Sequence, residues 1–160
     1  MKLIVLSAVF FLTLTSGFAQ SAFDKMTNEK MGKVLLRETK DVQGIAGNWQ
    51  VTYLERPLYI ITDENFNRMR IISPVEEVSK LKSDQLKTLL EANFDKALDS
   101  KYAIYDEIVW STFTHPLNEL TVQQFKDAMK QVVMLSKTFG TTYTSTDFVF
   151  GTTSQSDDGN

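Results

Sequence analysis

The sequence predicts an α+β domain in two layers, an antiparallel sheet of about five strands covered by three helices in the order α-βββ-α-ββ-α. Three observations carry that expectation. Apolar residues recur at helical spacing in three separate stretches, and between them short runs alternate apolar with polar residues as half-buried strands do. The strand runs are joined by connections too short for a parallel crossover, so they pair antiparallel. Helices segregated from such a sheet pack on it as a second layer.

The 160-residue chain begins MKLIVLSAVFFLTLTSGFAQS. Lys2 gives a positive start, Leu3 to Leu14 an apolar run, and Gly17 and Ala19 the small residues of a cleavage site. The run falls short of the roughly 20 apolar residues that cross a bilayer. Residues 1–19 are therefore expected to be a signal peptide, cut between Ala19 and Gln20. A domain over 20–150 and a polar, disordered tail over 151–160 complete the expected organisation.

A first helix is expected from about Ala22 to Thr39, with Phe23, Met26, Val34 and Leu35 on its apolar face and Gly32 weakening it. Gly44 and Gly47 read as a loop. NWQVTYLE then alternates around Trp49, Val51 and Tyr53, PLYIITDE follows as a second strand, and FNRMRIISPV as a third. The next helix has Ser83 as its cap and Leu86, Leu89, Leu90, Phe94 and Ala97 on one stripe, which also carries Asn93. KYAIYDEIVWSTFTH reads as two strands around a turn at Asp106 and Glu107. Thr121 and Gln124 form a capping box for the last helix, which places Phe125, Met129, Val132 and Phe139 on one face and Gly140 at its C′ position. Residues 141–150 are apolar enough to dock.

Composition removes several classes of function. There is no cysteine, so disulfides, thiol catalysis and a lipid-modified cysteine are excluded. With a single histidine, a histidine-rich metal site is excluded too, and no cofactor or metal is expected. The net charge is −3 with the signs interspersed, which argues against nucleic acid as a partner. After the leader, no stretch is long and apolar enough for a membrane.

Candidate sites are few. His115 with Asp106 is the only enzyme-like pairing, and its strand-end position before Pro116 favours a structural role. Asp106 and Glu107, adjacent in a turn, are better explained by turn chemistry than by acid–base work. Asn93 is a polar amide on an apolar stripe and needs partners, most simply a carbonyl of the sheet. Arg68 and Arg70 lie two apart on one strand face, placed to hold an anionic ligand or to form a solvated surface. Trp49, Trp110, Tyr53 and Tyr105 read as core at strand spacing, or as an aromatic contact surface.

The stretches MRIISPV, LLEANF, YAIYDEIVWSTFTHPLNEL and FKDAMKQVVMLSKTFG resemble the type III secretion chaperone-like fold, nearest its YbjN-like branch of sensory-transduction regulators. Leu89, Leu90, Asn93 and Phe94 match that branch's helix motif, and Leu117, Asn118 and Leu120 its entry to the last helix. The likeness covers roughly residues 22 to 150. It implies a non-enzymatic domain that binds protein segments and often forms dimers, with Met26, Met69 and Met129 suited to an adaptable surface. The export signal sets this chain apart, because secretion chaperones work in the cytoplasm.

The resulting expectation is an exported, non-catalytic interaction domain, periplasmic in a Gram-negative bacterium or secreted. It binds a protein segment or a second copy around Asn93, Phe94, Trp110 and Phe113. The alternative is a sensor domain that binds a small anionic ligand through Arg68 and Arg70.

Overall fold

The computed structural model describes residues 25–148. The leader, the Ala19–Gln20 cleavage point, the start of the expected first helix and the tail 151–160 lie outside the described residues. The first helix, α1 (Asn28–Glu38), begins where the Thr27 hydroxyl accepts the Lys30 amide at 3.3 Å, a cap that stands in for an intrahelical partner. It buries Met31, Val34 and Leu35.

Six strands follow in two groups: β1 (Lys40–Ile45), β2 (Asn48–Tyr53), β3 (Arg56–Asp63) and β4 (Arg68–Glu77), then β5 (Lys101–Tyr105) and β6 (Ile108–His115). They form one antiparallel sheet in the order β1-β2-β3-β4-β6-β5. The fold is α+β as expected, with one more strand. That strand is β1, where the sequence reads as a loop because of Gly44 within it and Gly47 just beyond. Gly44 sits in it at φ +98, where a side chain would strike the Asn48 carbonyl oxygen. Glycine here marks a close approach inside an edge strand, beside a bulge between Lys40 and Gln43.

Strand alternation sends Trp49, Val51, Leu58, Ile60, Met69, Ile71 and Phe113 to one face, where α1 and the last helix, α3 (Val122–Lys137), cover them. Met26, Met69 and Met129 belong to this core and fill its interior, so they supply no adaptable surface. Trp49 is buried there as well, while Trp110 projects from the other face. A second, smaller core joins Leu89, Ala92, Ala97, Tyr102, Val109 and Leu135. Phe139 and Tyr143, from the segment after α3, close it with edge-to-face contacts to Tyr102 at 6.3 and 6.2 Å. Ser145 then donates its amide to Lys96 O and its hydroxyl to Ala97 O, so the expected docking of this segment holds within the described residues.

The capping box at Thr121 and Gln124 forms as the sequence predicts. Gly140 is left-handed at φ +77, but α3 ends at Lys137 with Thr138 as cap, which places Gly140 one residue beyond C′. The middle helix, α2 (Gln85–Asp95), has Asp84 at its cap in place of Ser83, without a side-chain bond.

Two hairpins turn on residue pairs that are both left-handed: Leu54–Glu55, and Asp106–Glu107 at φ +51 and +57. Such mirror-image turns match the twist of the strands, but side chains other than glycine and asparagine adopt them at a cost. Replacing Asp106→Asn together with Glu107→Gly should raise stability by about 1 kcal/mol. A urea unfolding curve whose midpoint stays put or falls would refute this account of the turn.

Candidate interaction surfaces

The histidine does not meet the carboxylate proposed for it. Asp106 lies in the turn before β6, and His115 ends that same strand. The His115 ring stacks on Phe113 with centroids 6.0 Å apart, and its Nδ1 lies 2.8 Å from Pro116 O. Beside it opens a cleft of about 450 Å³ that also holds Asp99, Lys101 and Asp127. Those groups are engaged by the protein itself. The buried Gln131 amide donates to Asp127 at 2.8 Å and Asp99 at 3.2 Å, while Lys101 Nζ donates to the carbonyls of Asn93 and Leu98. The arrangement secures the passage from α2 into β5 and holds no nucleophile–base pair.

Asn93 answers its own question. Its Oδ1 accepts the Tyr102 amide at 2.7 Å and its Nδ2 donates to the Tyr102 carbonyl at 3.0 Å. Tyr102 lies on β5, whose other side pairs with β6. One side-chain amide thus does what a neighbouring strand residue would do, meeting both outward backbone groups of Tyr102 on the sheet's last strand. The same contact aims α2: Leu89 and Ala92 turn inward with Asn93 and are buried.

The rest of the expected apolar stripe is therefore not core. Leu86, Leu90 and Phe94 are 47, 65 and 87 % exposed. At i, i+4 and i+8 they form one ridge of α2, rotated from the inward ridge by the Asn93 contact. Ile104 of β5 is exposed beside Leu86 and Leu90 along an apolar groove of about 140 Å³, while Tyr105, also exposed, points to the other face of the sheet. Leu86, Leu90 and Ile104 were missing from the expected site. For the two leucines the signal was a stripe too wide for one small helix to bury whole.

The remaining candidates divide between the two faces of the sheet. Phe113 is buried on the core face. Trp110, Arg68 and Arg70 lie on the opposite face, which no helix among the described residues packs against. There Trp110 meets Tyr59 edge to face at 6.2 Å and donates its ring N–H to Tyr105 O.

Solved structures with a similar fold include chains of two complexes. A chain of the HopA1–SchA chaperone–effector complex superposes with a TM-score of 0.54 at 13 % identity, over 70 % of this chain and 94 % of that one. A chain of the ExsC–ExsE complex gives 0.55 at 12 %, over 69 % and 87 %. At this identity the likeness shows the fold alone, an α+β arrangement shared with a chain of each complex. No protein-family model and no curated protein matches the chain.

Asn93→Ala removes both bonds to Tyr102 and should cost about 2 kcal/mol, with Asn93→Asp recovering only part because a carboxylate cannot donate to the Tyr102 carbonyl. Equal unfolding midpoints for wild type and Asn93→Ala would contradict the edge-capping role. The Tyr102 hydroxyl donates to Leu135 O at 2.7 Å, and burial pushes its pKa above the usual phenol value. A folded pKa above the unfolded value of about 10 means full stability below pH 10, lost as the unfolded chain ionises above it. Tyr102→Phe should flatten that alkaline decline, and an unchanged slope in unfolding measured from pH 8 to 11 would count against it.

Proposed function

We propose that this chain is an exported, non-catalytic protein-interaction domain of chaperone-like habit, which holds an apolar segment of a partner polypeptide against the face made by α2 and β5. The observation that carries the reading is the uncovered ridge of Leu86, Leu90 and Phe94 beside Ile104. Large apolar side chains grouped on one surface mark interaction sites in soluble domains. The fold likeness supports it further, because both neighbours are chains of complexes, one of them between a chaperone and its effector.

The reading includes the YbjN-like branch, on the pattern of Leu89, Leu90, Asn93 and Phe94. It also includes export by residues 1–19 into the envelope or the medium. Self-association is its second form. The ridge is symmetric about Leu90, with Leu86 and Phe94 one turn to either side, so a two-fold antiparallel copy sets Leu86 against Phe94.

The test is suppression of aggregation of reduced insulin by residues 20–160, with sedimentation velocity run in parallel. Leu90→Glu combined with Phe94→Glu should weaken suppression about tenfold, as expected when two large apolar side chains no longer bury against the client. Circular dichroism should stay unchanged, because both side chains point to solvent. A variant that suppresses aggregation as well as wild type rules out this face as the client site. A dimer seen for wild type and absent in the variant identifies the second form.

A further inference from the structure

The uncovered face of the sheet carries charge as well as aromatic surface. Cross-strand register aligns Ile61, Arg70 and Thr114 in one row, Tyr59, Ile72 and Thr112 in the next, and Pro74, Trp110 and Ala103 beyond it. A groove of about 390 Å³ runs along Ile61, Arg68, Arg70 and Thr114. Arg70 Nε donates to Thr114 Oγ1 at 3.2 Å, and one Arg68 nitrogen donates to Asn67 O at 2.9 Å. Among the described residues neither guanidinium has a carboxylate at ion-pair distance. Asp63 stands opposite Arg68 in the register and also lines the groove, its Oδ1 accepting the Phe66 amide at 3.0 Å.

This is unusual in a chain with 20 acidic and 17 basic residues. Two neighbouring cations repel each other, and among the described residues the carboxylate that lines their groove, Asp63, lies beyond ion-pair distance of both. Arginine's planar fork is suited to a carboxylate, which it binds through two parallel N–H groups. Trp110 lies four positions along β6 from Thr114, the residue opposite Arg70. At strand rise that is about 13 Å, the span of about four extended residues. The floor between them is Ile72 and Thr112, apolar or neutral.

We propose that this face is a second docking surface, for an extended polypeptide segment whose carboxylate pairs with Arg68 and Arg70 and whose aromatic or branched apolar residue, about four positions away, rests on Trp110 and Tyr59. The inference rests on the polypeptide-binding reading and specifies the chemistry of the partner. It places this contact on the side of the sheet away from the helices.

The experiment is selection of random decapeptides displayed on phage against immobilised residues 20–160, followed by fluorescence anisotropy of the enriched peptides. Wild type should enrich peptides with an acidic residue about four positions from an aromatic one. Arg68→Ala with Arg70→Ala should weaken their binding about tenfold, and Trp110→Ala should weaken it less. Leu90→Glu with Phe94→Glu should leave it unchanged. Enriched peptides without an acidic residue, or undiminished binding to the arginine variant, overturn the proposal. So does competition by millimolar citrate that abolishes binding while citrate itself raises the melting temperature, because the groove is then a small-anion site. If peptides bind only through Leu90 and Phe94, the polypeptide-binding reading stands and this surface does not. If no peptide is enriched and insulin aggregation is not suppressed, both fall.

Discussion

One side-chain amide determines which surfaces this molecule presents. Asn93 closes the exposed backbone of Tyr102 from both sides, and in doing so sets α2 alongside the last strand of the sheet. An edge strand with free N–H and C=O groups invites pairing with other chains. The amide blocks that at Tyr102 while fixing the rotation of α2, so that Leu89 and Ala92 face in. Everything presented on the outer ridge follows from that rotation. An aspartate or a leucine of similar size at this position has no way to meet a donor and an acceptor together.

The rest of the architecture is one-sided for a related reason. α1 and α3 fill the large core, and α2 with the segment after α3 fills the small one, all on the same side of the sheet. α3 links the two cores, contributing Phe125, Met129 and Val132 to the first and Leu135 to the second. With no cysteine to crosslink it, the domain depends on this burial. Among the described residues, three helices cover one face of six strands and leave the other without a helix. That second face carries half-buried aromatics, which stabilise the sheet through cross-strand contacts such as Tyr59 with Trp110.

Much of this was legible in the residues. The alternation in NWQVTY and the capping box at Thr121 and Gln124 each encode local geometry, and local geometry is what periodicity reports. The need of Asn93 for a partner was legible too, since a polar group on an apolar stripe must be satisfied. The strand holding Gly44 was not, because its glycine answers a close approach by Asn48 from the next strand, a tertiary fact. The stripe of α2 misled for a similar reason. Leu86, Leu89, Leu90 and Phe94 are equally apolar in sequence, and only the Asn93 contact decides which of them turn inward. The arginines' lack of a carboxylate partner is likewise invisible until the sheet is assembled. His115 and Asp106, separated by the length of β6, show how strand geometry can part residues that sequence places close together.

The exposure of Leu90 and Phe94 has an energetic reading. Burying each is worth about 1.5–3 kcal/mol, so a fold that leaves both in water forgoes a sizeable part of a typical domain's stability. α2 cannot recover it by rotating, because turning the ridge inward would expose Leu89 and Ala92 and break both Asn93 bonds. Nor does the described part of the segment after α3 cover it, since Tyr143 and Ser145 are committed to the small core and the end of α2. Within the described residues the ridge has no internal solution. Within the described residues the surface is thus held open by the same contacts that hold the helix in place, and the stability forgone there is available to whatever apolar group covers it.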